Sequence, residues 1–165
     1  MLDVIKSRRS IRRYTKQEIE ESRIMQIVEA GIWAPSGLNN QPWKFAIVRS
    51  QEVKEALARQ TEYSSIIRNA PVCIAVFLDK DLSYDRTKDI QAIGACIQNM
   101  LLAIHALGLG GVWLGEILKN ADNVREILGI PPHMEFMAVV ALGYPAEKAV
   151  ASRRKKPSEV IVLEK

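Results

Sequence analysis

Residues 89–107 constrain this chain more than any other stretch. They keep helical spacing throughout, and the helix they imply is apolar nearly all the way round. Ile90, Ile93, Ile97, Met100, Leu101, Ile104 and Leu107 cover one broad face, and Ala92, Ala95, Cys96, Leu102, Ala103 and Ala106 extend it. Such a helix must be covered on every side, either in a core or against a second copy of the chain. With 165 residues, the chain has little room to cover it alone. Gly108 follows as the residue able to take the left-handed backbone that closes a helix.

The rest of the pattern supplies a sheet for that helix. Residues 72–78 are a continuous apolar run, suited to a central strand covered on both faces, and 136–142 are a second such run. Residues 43–48 read as a strand with aromatic side chains on one face, and 111–114 and 159–163 as short strands. Thr15-Lys16-Gln17-Glu18 has the form of a capping box. The helix it opens carries Ile19, Ile24, Ile27, Val28 and Ile32 and stops before Pro35. Further helices are expected at 51–60, capped by Ser50, and at 121–128, ended by Gly129 and Pro131. With no repeat, low-complexity segment or linker, residues 1–165 form one α+β domain, a sheet with helices on both faces.

Several function classes drop out. The longest apolar runs fall far short of a membrane span, and the first residues lack the apolar stretch of a secretory signal, so a cytoplasmic location is expected. Cys73 and Cys96 sit in apolar contexts with no metal-ligand spacing to His105 or His133; they read as buried free thiols, and no metal is expected. Both histidines read as structural, because no nucleophile elbow or catalytic cysteine context accompanies them. Gly108-Leu109-Gly110-Gly111 follows a helix and lacks the spacing of a dinucleotide fingerprint.

The net charge of +4 is uneven. Lys6, Arg8, Arg9, Arg12 and Arg13 form one basic cluster, and Arg153, Arg154, Lys155 and Lys156 another. Three readings are open: solvated terminal segments, a nucleic-acid surface, or a compact anion gripped from both ends of the chain. The nucleic-acid reading is the weaker, since neither cluster interleaves with aromatics. Basic and polar loops without acid-base machinery fit a protein whose bound cofactor carries the chemistry.

Specific residues then narrow the choice. Arg8-Arg9-Ser10-Ile11-Arg12 resembles the Arg-Arg-Ser-x-Arg opening of the FMN-dependent nitroreductase family. Ala34-Pro35-Ser36-Gly37-Leu38-Asn39-Asn40-Gln41-Pro42-Trp43 is similar to that family's Ala-Pro-Ser-x-x-Asn-x-Gln-Pro-Trp segment. The 89–107 helix, Gly108-Leu109-Gly110-Gly111-Val112-Trp113-Leu114-Gly115, Leu128-Gly129-Ile130-Pro131, Leu142-Gly143-Tyr144-Pro145 and the tail from Arg153 to Val160 match in the same order. The likeness spans residues 7–161, and its strength lies in the ordered set.

The resemblance implies a short nitroreductase-like fold with a mixed, mainly antiparallel sheet, dimeric through the 89–107 helix, with exchange of C-terminal segments. It implies FMN as cofactor at the subunit interface. Arg8 and Ser10 would contact its phosphate or ribityl chain, with Arg9 and Arg12 close by, and Arg153 and Lys155 would close over the same phosphate. Pro35, Ser36, Gly37, Asn39 and Gln41 belong to the loop that reaches the flavin bound mainly by the other subunit, where the two amides match the ring's donors and acceptors. Leu114 and Gly115 correspond to the segment whose backbone amide faces flavin N5. Trp43 and Trp113 read as core or interface aromatics, and Arg13 and Arg154 as solvent-facing neighbours. No flavin contact is assigned within 61–69. No side chain is assigned as catalytic: the flavin takes a hydride from NADH or NADPH and passes electrons to a nitroaromatic or quinone. The alternative is a flavin- or nucleotide-binding sensor or carrier without turnover. Neither nucleic acid nor membrane is an expected partner.

Overall fold

The computed structural model describes residues 1–150 and 152–165. In chain order its elements are α1 (Leu2–Ser7), α2 (Glu21–Ile32), β1 (Trp43–Val48), α3 (Gln51–Ala58) and α4 (Ser64–Asn69). There follow β2 (Val72–Asp79), α5 (Arg86–Ala106), β3 (Gly110–Leu114), α6 (Ala121–Ile127) and β4 (Met134–Gly143).

The two long apolar runs take the middle of the sheet. The strand order is β1-β2-β4-β3, with every pairing antiparallel. Every residue of β2 is buried, as befits a strand with helices over both faces. Alternation sends Val72, Ile74, Val76 and Leu78 to one face and Cys73, Ala75 and Phe77 to the other. On β4 an extra residue, Met137, shifts the register, so that Val76 faces Ala138 while Phe77 faces Phe136. The shift puts Phe136 on the same face as Phe77, and the two rings pack with centroids 5.6 Å apart.

Helices α2 and α5 cover the first face, and Leu57, Ile67 and Val124 from α3, α4 and α6 cover the second. The α+β class, with helices on both faces of a mainly antiparallel sheet, is as expected. Helix α5 begins three residues earlier than its apolar pattern, because Asp85 accepts from the Lys88 amide at 3.1 Å and caps the first turn. It ends as expected: Gly108, at φ 74°, donates to His105 O at 3.0 Å, and Leu109 donates to Ile104 O at 2.9 Å.

The chain itself covers only part of α5. Ala92, Ile93, Cys96, Ile97, Met100, Leu101 and Ile104 are buried, whereas Gln91, Ala95, Gln98, Asn99, Leu102 and Ala106 form an outward stripe that is half-buried or exposed. Both cysteines are free and buried, and burial pushes each thiol up to about 12.

Two local expectations fail for tertiary reasons. The capping box does not form: Thr15 donates its amide to Tyr144 O at 2.9 Å, its hydroxyl accepts from Gln17, and α2 starts only at Glu21. The segment 159–163 is not a strand. It begins in a 3-10 turn at Pro157–Glu159, and Val160, Ile161, Val162 and Leu163 lie exposed, outside every strand pairing among the described residues. Two short helices, α1 and α4, lie in stretches too brief to show periodicity. No helix among the described residues is long and apolar enough to cross a membrane.

Candidate functional site

The arginine-rich segment 8–13 crosses one end of the sheet. Ser10 bridges Gly111 on β3, Ile11 is buried and donates to Gly111 O at 3.1 Å, and Tyr14 bridges Pro145 beyond β4. Gly110 permits this approach, since a Cβ there would lie 2.7 Å from the Ile11 side chain. The Tyr14 hydroxyl donates to Ile11 O at 2.6 Å and Ala141 O at 3.0 Å, and burial raises its pKa far above the ordinary value.

Held this way, Arg8, Arg9, Ser10 and Arg12 line one cleft of about 510 Å³, with Arg13, Glu147 and Arg154. Among the described residues no carboxylate lies within 4.0 Å of the guanidinium of Arg8, Arg9, Arg12 or Arg154. The Nε atoms of Arg8 and Arg9 are buried without a partner. Burial, then the neighbouring Arg154 and Arg9 charges, pulls the Arg8 guanidinium below its usual range. Half-buried Arg8 and Arg9, crowded by the exposed Arg12 and Arg154 cations, form a costly arrangement that an anion relieves.

The basic cluster at the C-terminus meets the first one here, but through a different residue. Arg154 faces the cleft, while Arg153 and Lys155 are exposed and lie outside its lining. A second cleft, of about 740 Å³, shares Arg12 and Arg13 and adds Lys16, Lys54, Ser65 and Arg68. Lys54 is buried and donates to Ala70 O at 2.7 Å. Sequence reasoning missed Lys54 and Ser65; a single lysine on a charged helix gives no sign that it turns inward. Leu114 is buried at the end of β3, and Gly115 is exposed with open space where a Cβ would project.

The loop at 36–41 lies elsewhere. Trp43 pairs with Leu78, so the loop sits at the sheet end opposite Arg8 and Ser10. The eight residues of β2 separate the two ends by roughly 25 Å at about 3.3 Å per residue. Leu38, Asn39 and Gln41 have φ of 54°, 54° and 46°, left-handed conformations that cost about 1–2 kcal/mol each outside glycine.

Several bonds hold this strain. Ser36 Oγ accepts from the Gln41 amide at 3.0 Å, and Asn40 Nδ2 donates to Leu82 O at 3.0 Å and Asp89 Oδ1 at 2.7 Å. Gly37 is packed against Tyr84, whose hydroxyl would collide with any Cβ. Pro35, Leu38, Asn39 and Gln41 are nonetheless exposed. The loop is braced from within, and its exposed side chains make few contacts with the rest of the chain, the Gln41 side-chain amide donating only to Asn39 O at 3.4 Å.

Asp89 anchors the arrangement. It is fully buried, and its second oxygen accepts from Ser83 Oγ at 2.6 Å and from the amides of Tyr84 and Asp85. Burial opposes its ionisation, but these donors and Asn40 outweigh burial and hold the carboxyl below its ordinary 3.8. A carboxyl lowered on folding stabilises the fold above its ordinary value, and that stabilisation is lost as pH falls through the folded value. Acid titration of unfolding should therefore show stability falling below about pH 4, less steeply in Asp89→Asn. Glu55, Glu116 and Glu147 shift the same way, so the difference between the two proteins isolates Asp89. Equal acid slopes would contradict the assignment.

At the same sheet end Asp79, Asp81 and His133 approach one another, but Asp79 already accepts from the Asp81 amide and faces the Lys44 ammonium at 3.7 Å.

The sequence model of the Nitroreductase family matches residues 5–61 and 56–144. A Methanothermobacter thermautotrophicus protein assigned as an NADH dehydrogenase/NAD(P)H nitroreductase is 38% identical over 149 residues, covering 89% of this chain and 78% of its own. A protein from Desulfovibrio desulfuricans, assigned as a nitroreductase and solved in complex with FMN, superposes with a TM-score of 0.94. It is 47% identical, over 99% of this chain and 96% of its own. The NADPH:FMN oxidoreductase of Vibrio harveyi, complexed with NAD+, has a TM-score of 0.88 at 25% identity, over 99% of this chain and 76% of its own.

Proposed function

The chain belongs to the nitroreductase family, and from that premise we propose that it is an FMN-dependent oxidoreductase carrying electrons from NADH or NADPH to a small acceptor such as a nitroaromatic or quinone. The observation that carries this reading is the pair of buried, partnerless arginine nitrogens in a cleft crowded with cations. A phosphate dianion fits that donor set, because it accepts from several guanidinium forks at once.

When bound, FMN supplies the hydride and electron chemistry that no side chain of this protein can supply. Arg8 and Ser10 would hold the phosphate, Arg9 and Arg12 would flank it, and Arg154 would close the cleft with Arg153 and Lys155 beside it. Arg12 also opens onto the second cleft, where Lys54, Ser65 and Arg68 offer donors to the carbonyl edge of the ring. The Leu114 and Gly115 backbone would face the flavin, and the missing side chain of Gly115 would allow close approach.

Ser36, Gly37, Asn39 and Gln41, with Pro35 shaping their loop, complete the site of a second copy, since roughly 25 Å separates them from the cleft of their own chain. The unit is therefore a homodimer of single-domain chains, 1–165, joined through the outward stripe of α5. The exposed Val160, Ile161, Val162 and Leu163 find their cover on the partner.

Reconstitution tests the reading. Purified protein should take up one FMN per chain, bleach with NADH or NADPH and reoxidise with a nitroaromatic. No flavin band after incubation with FMN rejects the cofactor, a preference for FAD rejects the phosphate assignment, and a bound flavin that never bleaches marks a carrier.

A further inference from the structure

A carboxylate inside a cation-lined cleft should, by charge alone, oppose an anionic ligand. Glu147 stands in the arginine cleft, yet both of its oxygens are engaged. Oε1 accepts from the backbone amides of Arg12 at 2.8 Å and Arg13 at 3.3 Å, and Oε2 accepts from Arg13 Nε at 3.0 Å. Arg13 thereby offsets the charge, and the two amides occupy Oε1. The Ala146 amide donates to Arg13 O at 2.9 Å, so the strand-end turn and the arginine segment grip each other from both sides. These donors, the Arg12 amide first, hold the Glu147 carboxyl below its usual range.

We propose that Glu147 is the positioning residue of the phosphate cleft: it clamps the backbone of Arg12 and Arg13 against the sheet end and so aims Arg8, Ser10 and Arg12 at one point. The inference rests on reading that cleft as the phosphate end of an FMN site. It accounts for an acid in a basic cleft and for the diversion of Arg13 from the ligand. A Glu147 that merely supported the fold would affect every flavin equally. A clamp on the arginines affects only flavins that carry a phosphate.

The test compares FMN with riboflavin, which has the same ring and no phosphate, by fluorescence titration of the apo-protein. Glu147→Ala should lower the FMN-to-riboflavin affinity ratio about tenfold, on the scale of lost hydrogen bonds to charged groups, and leave riboflavin affinity within about twofold. Glu147→Gln keeps an acceptor for the two amides and should retain most of the ratio. An unchanged ratio in Glu147→Ala overturns the proposal, as does a raised one, which would make Glu147 an electrostatic opponent of the ligand. Equal losses in Ala and Gln also overturn it, since charge and not the clamp would then matter. Should Glu147→Ala not fold, amide exchange decides: the Arg12 and Arg13 amides must be protected in both the wild type and Glu147→Gln, and rapid exchange in the wild type overturns the clamp. A wild type that binds neither flavin rejects the cofactor reading, a result distinct from a bound flavin whose ratio ignores Glu147.

Discussion

Leu102→Asp should yield a folded monomer that has lost its FMN, whereas Ile97→Asp should yield no folded chain at all. Both positions lie on α5, and sequence alone makes either a fair place to disrupt a dimer. The structure separates them. Ile97 has no exposed surface and packs inside the core between the sheet and α2, so a carboxylate there is an unpaired buried charge. The cost is about 4 kcal/mol or more, a large share of the roughly 5–15 kcal/mol that holds a domain together. Leu102 is half-buried on the outward stripe and belongs to neither core cluster. A charge there is solvated in the lone chain and desolvated only when a second copy covers it. Sedimentation, circular dichroism and the flavin absorption band decide the matter together. A Leu102→Asp protein that stays dimeric and yellow contradicts the interface, and a wild-type monomer holding FMN contradicts the shared site.

Arg8→Ala should weaken FMN binding about 30-fold, equivalent to about 2 kcal/mol, the scale for losing a charge-assisted bond to a desolvated anion. Arg8 combines a buried, partnerless Nε with like charges on either side and no counter-ion, so an arriving phosphate relieves several penalties at once. Arg13, five residues along the same segment, already has its partner in Glu147 and is largely exposed. Arg13→Ala should cost no more than about threefold, the scale of an exposed ion pair. Titration of apo-protein with FMN compares the two. Equal losses would mean that general positive charge, not a specific fork, holds the cofactor.

The parts of the fold legible in the sequence are those fixed by local pattern. The 72–78 run suited a buried strand, the apolar 89–107 stretch a covered helix, and Gly108 the residue that closes it. Ser50 caps α3 as expected, its side chain accepting from the Val53 amide at 3.4 Å. Illegible were the features decided by distant partners. Thr15 has the sequence of a helix cap but is drawn to Tyr144 O across the sheet end. The Met137 bulge depends on pairing with β2, and an apolar tail at 159–163 is a strand only where an edge exists to receive it.

The candidate site divides the same way. Residue type left three readings open for the basic segment at 8–12, and only the family resemblance pointed to a phosphate there. Which basic residue of the tail faces that segment is set by backbone direction, and Arg154 rather than its neighbours lines the cleft. Lys54 looked like one charge among several on α3, and only the fold reveals the Ala70 carbonyl that draws it inside.

The distance between the arginine cleft and the 36–41 loop has a genetic consequence. Each cofactor site of the proposed dimer takes its arginines from one copy and its loop from the other. A gene damaged in the arginine segment and a gene damaged in the loop, expressed together, then produce mixed dimers in which one site inherits both lesions and the other inherits neither. Two inactive alleles can thus restore one sound site per mixed dimer. Two alleles damaged in the same half never can.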